Sequence, residues 1–343
     1  MENAVSVIIP VYNGEKTIDK CLKSVFMHSK YIKEVIVVDD HSQDRTLEIV
    51  QKYSCRIVKL NQHKGPAVAR NTGVACAESE ILFFADADVE ILPDTIIRGI
   101  RRLRNYPEYA AVIGAYSDDT PVENFVSKYK NYLHHYTHCI SDGEIFSFFT
   151  ACGFIWKKTF EQVEGFDGSI TTTALEDVDL GIRLAKSGYK ILLDKSVQVV
   201  HLKRYTFFSL VKSDVFNRAV PYTELFIQHK IFNSELSTGS NNIMSVLLLY
   251  ISILMEIMLR LLKIHNFKIY RIITPCLLFL LNAKFYICMK RKYTLSFMIK
   301  GITMHWLGYF YSGLGVAFGM CSYLYKYFGS KNRGELQNEK NEK

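Results

Sequence analysis

Two aspartates, Asp86 and Asp88, follow the short apolar segment ILFFA. Such a segment is typical of a buried central strand, and ligands bind where the strands of an open parallel sheet end. In an extended chain, a spacing of two places both carboxylates on one side. Two such oxygen ligands suit Mg²⁺ or Mn²⁺ held together with substrate phosphate. The alternative is that both acids only cap a turn before Pro93.

A second acidic pair, Asp39 and Asp40, ends the predicted strand Glu34–Val38 at the same edge. A carboxylate there can accept a hydrogen bond from a nucleobase N–H or a ribose hydroxyl. Tyr12, at the end of the first strand, can stack on the base. The alternative is an Asx turn followed by a helix that Ser42 caps.

A basic segment surrounds Gly65, where we predict a helix with Pro66 at its first position. Lys64 and Arg70 lie around this helix start. Helix N-termini favour anions, and arginine binds phosphate through a planar fork, which suits a nucleoside diphosphate. The alternative is a solvated basic face.

Glu176 and Asp177 open a predicted helix that extends to about Ser187. A carboxylate beside the preceding polar loop can take a proton from an acceptor hydroxyl. Acids in a first turn also complement the helix dipole, which is the alternative.

His201 ends the last predicted strand. It can be a third metal ligand, or it can pair with a phosphate together with Lys203 and Arg204. A half-buried structural histidine is the alternative.

The elements that carry these residues form an alternating pattern. Four predicted strands alternate with helices of about ten residues, which indicates βαβ units and a parallel sheet. No GxGxxG segment follows the first strand, which argues against an NAD-type site. Further strands are predicted later in the chain. The predicted strands are Ala4–Val11, Glu34–Val38, Arg56–Leu60, Ile81–Ala85, Ala110–Tyr116, Phe154–Trp156, Lys190–Leu193 and Val197–His201.

Charge is unevenly distributed along the 343 residues. Residues 1–235 carry 28 Lys and Arg against 30 Asp and Glu, whereas residues 236–343 carry 14 against 4. Beside apolar runs, this basic excess indicates anionic lipid rather than nucleic acid. The eight cysteines show no CxxC pair, which is typical of reduced thiols. The start MENAVSVIIP has no basic region, so we expect no signal peptide and a cytosolic first part.

Three apolar segments predict membrane helices, at Ile243–Leu259, Ile272–Met289 and Gly301–Tyr325. The first two contain Glu256 and Lys284, and charges inside a span are costly. The alternative for these two is an interfacial or re-entrant hairpin. Basic residues lie on both sides, so the positive-inside rule selects no orientation.

The segment Arg204–Phe232 interleaves aromatic with basic residues, which indicates an interfacial segment on the membrane. The alternative is a linker helix packed on the preceding domain. Lys203, Arg204, Lys212 and Arg218 are candidates for contacts with the phosphate of a lipid-linked acceptor.

Six segments in this order resemble the family 2 glycosyltransferases with the GT-A fold. They are SVIIPVYNGEKTI, VIVVDDHSQDRT, NQHKGPAVARNTG, ILFFADADV, CGFIWKKTFEQVEGFD and ALEDVDLGIRLAKSGYKI. The resemblance covers about residues 4–204. It implies a doubly wound, Rossmann-like, mostly parallel α/β sheet and an inverting, metal-dependent transferase that uses a nucleotide sugar.

The resemblance also implies roles for single residues. Asp86 and Asp88 would form the DxD motif, with Asp88 as the direct metal ligand. Asp177 would be the catalytic base, with Glu176 beside it. No QxxRW segment of the processive relatives follows, which argues for one sugar per acceptor. The residues expected around the nucleotide sugar are Pro10, Tyr12, Asp39, Asp40, Gly65, Arg70 and Asp86.

The sequence therefore predicts a membrane-anchored enzyme with its catalytic domain in the cytoplasm. It would move one sugar from a nucleotide-diphosphate sugar to a lipid-linked or glycan acceptor, with Mg²⁺ or Mn²⁺ as cofactor. A nucleotidyl or phosphoryl transferase is disfavoured by the Glu176-Asp177 pair, and a catalytically inactive sugar-nucleotide-binding or scaffold subunit is the alternative. The predicted parts are a catalytic domain (1–204), an interfacial linker (205–242), a membrane region (243–327) and a polar tail (328–343).

Overall fold

The structure is a computed structural model that describes residues 4–141, 143–172, 175–229, 240–264 and 269–341. The chain forms two compact units, of which the first ends at Thr206 and the second begins at Phe207. The last three residues of the predicted interfacial segment, 230–232, lie outside the described residues.

The first unit is a mixed α/β domain around a nine-stranded sheet. Its strands are β1 Val5–Val11, β2 Ile32–Asp39, β3 Arg56–Lys59, β4 Ile81–Phe84, β5 Val89–Ile91, β6 Tyr109–Tyr116, β7 Gly143–Ile145, β8 Gly153–Trp156 and β9 Lys190–His201. Its helices are α1 Ile18–Phe26, α2 Thr46–Val50, α3 Pro66–Ala75, α4 Thr95–Asn105, α5 Phe125–Ile140, α6 Lys157–Gln162 and α7 Glu176–Lys186.

The strand order is β3-β2-β1-β4-β8-β6-β9-β5, with β7 paired to β9. The strands β3, β2, β1 and β4 are parallel, as the βαβ pattern predicts. Strand β8 then runs antiparallel to both β4 and β6, and β5 and β7 run antiparallel to β9. Half of the strand pairings are antiparallel, because long connections reverse the direction of the chain between the paired strands. The expectation of a mostly parallel sheet is therefore wrong.

Apolar layers cover both faces of the sheet. Successive strand residues point to opposite faces, so Phe83 and Phe84 of β4 contribute to different core clusters. The ring of Phe83 stacks on that of Phe154, with 4.2 Å between centroids. The ring of Phe84 contacts those of Phe160 and Phe166 at 5.5 and 5.3 Å. A strand that is buried on both faces explains the continuous apolar run before the acids.

Several predicted boundaries differ from the structure. The helix after Asp40 begins only at Thr46, with Arg45 as its N-cap, so Ser42 is not a cap. The two predicted closing strands are one strand, β9, with a register irregularity against β6. Strands β5 and β7 were not predicted, since three residues each are too few for a periodic signal.

The second unit is helical. Its elements are α8 Phe207–Asp214, a π-helical turn Val215–Ala219, α9 Val220–His229, α10 Ser240–Leu261, α11 Tyr270–Leu281, α12 Ala283–Lys292 and α13 Leu295–Asn341. The segment that we expected on a membrane or on the catalytic domain packs against α13 in this unit. Gly315 and Gly319 allow this close approach, because a Cβ at Gly319 would lie 2.7 Å from the Val220 carbonyl oxygen.

Within the described residues, α10 is the one continuous helix that is long and apolar enough to cross a membrane. The pair α11 and α12 qualifies only jointly, and the two are bent by 66° at their junction. The acid inside α10, Glu256, accepts hydrogen bonds from Arg260 and Arg271, both at 2.6 Å. Its charge is therefore neutralised within the helical unit, as a carboxylate in an apolar helix requires.

Replacing Gly99 by alanine tests the packing of α4 on the sheet. Helix propensity alone favours alanine over glycine by about 1 kcal/mol, but a Cβ at this position would lie 2.3 Å from Cε2 of the buried Phe154 ring. We expect Gly99→Ala to destabilise the domain by about 1–3 kcal/mol and to lower its Tm. The helical control Gly308→Ala meets its nearest atom, Tyr311 Oη, at 3.6 Å and should not lower the Tm. Equal melting of both variants would contradict this packing.

Candidate active site

The parallel strands β2, β1 and β4 end at one edge of the sheet. Val11 pairs with Asp39, and Ile8 of β1 pairs with Phe84 of β4. The residues that follow these strands therefore lie at one edge, as the sequence predicts, although the ends of β1 and β4 are 73 positions apart. Pro10, predicted beside the nucleoside, is half-buried in β1 opposite Val38.

Asp40 fixes the loop that leads into α3. Its carboxylate oxygens accept the backbone N–H groups of Lys64 and Gly65 at 2.7 and 2.8 Å. The Nδ1 atom of His63 lies 2.8 Å from Asp40 Oδ2. Gly65 has a φ of +89°, a backbone conformation that favours glycine. Asp40, 3% exposed, thus shapes this wall of the site.

Tyr12 is 47% exposed at the same edge and stacks on the imidazole of His63 at 4.0 Å. Since His63 is also held by Asp40, the tyrosine ring has one supported face and one that remains accessible to a ligand. Sequence reasoning missed the role of His63. Its position directly before Lys64 and Gly65 was the available signal.

Asp39 makes a local contact directly after β2. Its carboxylate is 2% exposed, and both oxygens lie 3.3 Å from the N–H of Ser42. This contact spans three residues, so it is not the Asx turn of the alternative interpretation, which joins residues two apart. The Ser42 hydroxyl accepts the Asn13 N–H at 2.9 Å and so ties the first two loops together.

Arg70 bridges two acidic motifs that are 90 residues apart in sequence. Its guanidinium donates to Asp86 Oδ1 at 2.8 Å and to Glu176 Oε1 at 2.7 Å. Arg70 is 4% exposed and Glu176 is 2% exposed. Burial opposes the charged guanidinium, but the two carboxylates outweigh it and raise the pKa of Arg70. Arg70 thus forms an internal bridge between these two motifs, and its contact with the diphosphate stays a prediction.

The two acids of the DxD motif face different partners. Strand β4 ends at Phe84, and the chain turns through Asp86 and Asp88 into β5. The assumption of an extended chain, with both carboxylates on one side, is therefore wrong. Asp86 contacts Arg70, whereas Asp88 Oδ2 lies 3.8 Å from His201 Nε2. The pairing of β5 with β9 brings Asp88 and His201 together.

Asp88 and His201 lie near enough to each other to serve as two ligands of one metal ion after a small movement. Ligand atoms that each lie about 2.1 Å from an ion are about 3.0–3.4 Å apart in octahedral or tetrahedral geometry, and these two side chains are 3.8 Å apart. Desolvation raises the pKa of Asp88 against the opposing charges of Lys203 and Arg70, and a bound cation would relieve this cost. Among the residues that the structure describes, no three His, Cys, Asp or Glu side chains group around one possible ion. Asp86, also predicted as a ligand, pairs with Arg70 through its Oδ1 atom.

An aromatic wall surrounds His201. Its imidazole, 4% exposed, stacks on Tyr116 at 4.3 Å, and Tyr116 stacks in turn on His134 of α5 at 5.8 Å. Neither Tyr116 nor His134 was predicted. The signal available was the histidine-rich segment YLHHYTHC, whose place in the fold the sequence did not give.

Asp177 is the second residue of α7, next to Glu176, and is 8% exposed. Desolvation and then the charge of Glu176 raise its pKa well above the ordinary carboxyl value, and Arg70 acts in the opposite direction. Its Oδ1 accepts the N–H of Val178 at 2.8 Å, which orients the carboxylate. A carboxylate with a raised pKa is a stronger proton acceptor once it is ionised.

Residues 6–163 match the model of the family described as glycosyl transferase family 2, so this domain belongs to that family. Glycosyltransferase AglE of Haloferax volcanii is 41% identical over 105 residues, which are 28% of this chain and 34% of AglE. Poly(ribitol-phosphate) beta-N-acetylglucosaminyltransferase TarS of Staphylococcus aureus is 41% identical over 98 residues, 26% of this chain and 17% of TarS. This chain therefore spans about a third or less of the length of these two relatives.

A solved structure shows the same fold at low sequence identity. Mannosyltransferase PcManGT from Pyrobaculum calidifontis, in complex with GDP-Man and Mn²⁺, superposes with a TM-score of 0.59 and 16% identity. The superposition covers 95% of this chain and 88% of PcManGT. The mixed sheet of the first unit is accordingly consistent with the GT-A fold.

The bridge at Arg70 can be tested through stability. Arg70→Met leaves Glu176 buried and charged, so we expect a loss of about 3–5 kcal/mol and a lower Tm. The double variant Arg70→Met/Glu176→Leu should lose less than the sum of the single variants. In the control Arg45→Met, the arginine side chain is 75% exposed, and the change should stay within about 0.5 kcal/mol. If the Tm of Arg70→Met equals that of Arg45→Met, the bridge does not hold the motifs together.

Asp177→Asn tests the raised pKa. A carboxyl whose folded pKa is raised stabilises the fold at low pH, and that contribution is lost as pH rises through the folded value. The neutral isostere should therefore raise the Tm at pH 8 and change it less at pH 4, in thermal melts with EDTA. Wild-type turnover should fall as the pH drops through the raised pKa, and Asp177→Asn should lose about 10²–10⁴-fold in kcat. An unchanged Tm at pH 8 would contradict a buried, charged Asp177.

Proposed function

We propose that this protein is an inverting, metal-dependent glycosyltransferase that moves one sugar from a nucleotide-diphosphate sugar to a membrane-associated acceptor. The observation that carries the proposal is the Arg70 bridge, which joins Asp86 of the DxD motif to Glu176 beside Asp177. A donor site and an acceptor-activating base must be adjacent for a direct displacement. The bridge holds these two motifs next to each other in a domain of family 2.

The donor would lie along the sheet edge. The accessible face of Tyr12 offers a stacking surface for the nucleobase. The N-terminus of α3, shaped by Asp40 and Gly65, offers a favourable field for the diphosphate. Asp39 and Pro10 support this wall from the strands. The GDP-Man bound by PcManGT is the same class of donor.

The chemistry would depend on charge development. Asp177 takes the proton of the acceptor hydroxyl, and the oxygen attacks the anomeric carbon opposite the leaving diphosphate. Asp88 and His201 are the residues that would hold the divalent ion. When bound, that ion neutralises charge on the leaving group. Lys203, whose charge already acts on Asp88, adds to the positive field.

The second unit would hold the enzyme on a membrane, with the catalytic domain on the cytoplasmic side. Helix α10 is 22 residues long and mostly unburied within the structure. Its exposed apolar side chains include Leu247, Ile251 and Leu254. A surface of this kind suits lipid acyl chains, and a lipid-linked or envelope glycan would then be the acceptor. TarS is named for a polymeric acceptor, poly(ribitol-phosphate).

A donor panel tests the proposal. Detergent-solubilised protein is incubated with nucleotide sugars, with and without Mn²⁺, and the released nucleoside diphosphate is measured. We expect one donor to be turned over only with metal, Asp88→Ala to lose the metal response, and Asp177→Asn to bind the donor without turnover. The matched control is Glu90→Gln, two residues from Asp88, which removes an acid that pairs with Lys20 on the surface. It should retain activity.

The acceptor is tested with the donor found in this way. Radiolabelled sugar should pass to extracted membrane lipids faster than to soluble oligosaccharides. Equal rates to both would reject the membrane acceptor. Tight donor binding with no turnover, even with lipids present, would reject catalysis and support a sugar-nucleotide-binding subunit.

A further inference from the structure

A second charged feature lies on α4, which supplies none of the residues of the candidate active site. The apolar side of this helix, including Ile96, Ile100 and Leu103, is buried. Its solvent side carries four arginines and no acid within the helix. They are Arg98, Arg101, Arg102 and Arg104.

Part of this basic side lines a groove with a volume of about 210 Å³. The residues that line it are Arg98, Arg101, Arg102, Asn105 and Ser196. Arginine presents five N–H donors in a rigid fork. Three arginines around one groove therefore offer more N–H donors than their neighbouring acids can occupy.

Two of the guanidinium groups are fixed in place from outside the groove. Arg98 pairs with the N-cap residue Asp94 at 3.0 Å. Arg102 donates to Asp194 and lies over the ring of Tyr106, 5.5 Å from its centroid. Fixed donors lose less conformational entropy when a ligand binds, so the arginines are preorganised.

The acids at this site are already occupied. Asp194 accepts the N–H and the hydroxyl of Ser196 at 2.8 and 2.6 Å, in addition to Arg102. Arg98 and Arg101 are three residues apart on the helix, a spacing at which like charges destabilise it. Cations in a last turn complement the helix dipole, but Arg98 and Arg101 precede that turn. A bound anion would account for the presence of Arg98 and Arg101 at this spacing.

We propose that this groove binds a phosphate group at a site distinct from the nucleotide-sugar site. Phosphate matches the arrangement, because several arginine forks can each donate two hydrogen bonds to its oxygens. A lipid headgroup and a soluble phosphorylated molecule would present the same chemistry. The inference does not depend on the proposed catalytic function.

The test compares the thermal stability of the full chain in inorganic phosphate and in chloride at equal ionic strength. Phosphate should raise the Tm of the wild type, and Arg98→Lys/Arg101→Lys should bind it roughly tenfold more weakly. This variant keeps the charge but removes the forks. Arg98→Gln/Arg101→Gln should lose the effect entirely.

The control Lys59→Gln/Lys158→Gln removes two exposed charges from β3 and α6 and should keep the wild-type response. If phosphate and chloride act alike on the wild type, the site does not exist. A lysine variant that responds like the wild type would equally overturn it, because general charge screening would then explain the effect.

Vesicle flotation identifies the source of the phosphate. The same proteins are floated with phosphatidylcholine vesicles, with and without phosphatidylglycerol. If phosphatidylglycerol increases wild-type binding and the lysine variant loses this increase, the site takes a lipid headgroup. If only inorganic phosphate distinguishes the variants, the site takes a soluble phosphoryl group.

Discussion

The ion pairs of Arg70 with Asp86 and Glu176 are the interaction on which the site depends. A buried arginine between two carboxylates contributes little net stability compared with apolar packing, but losing one partner is costly. The main contribution of Arg70 is therefore the position in which it holds its two partners. It fixes the DxD turn against the first turn of α7, which also carries Asp177. The bridge brings Asp86 and Glu176, with Asp177 next to it, into one cluster, although separate elements carry them.

The mixed sheet supplies the second constraint. The parallel half aligns the ends of β1, β2 and β4, which gives the wall formed by Tyr12 and Asp40. The antiparallel pairing of β5 with β9 gives the contact between Asp88 and His201. A fully parallel sheet would not bring these last two residues together. The reversal of the chain after β4 is thus part of how the family 2 domain forms its candidate metal site.

The same rule, that charge in a low-dielectric region needs a partner, applies in the second unit. Glu256 in the apolar helix α10 has two arginine partners. Among the residues that the structure describes, no cation forms an ion pair with Asp177, and desolvation raises its pKa. The ion pairs of Glu256 stabilise the packing of the helices. The buried carboxylate of Asp177 is unfavourable for stability but reactive when it is ionised.

The sequence by itself determined the βαβ pattern, the apolar strand before Asp86, and the helix that begins with Glu176, because these depend on local periodicity and composition. The order of its motifs also identified the family. Only the tertiary structure decided that β8 reverses the sheet, that Arg70 faces two carboxylates, and that His63 supports Tyr12. These are contacts between residues distant in sequence, and no local pattern encodes which of several acids a buried arginine will meet.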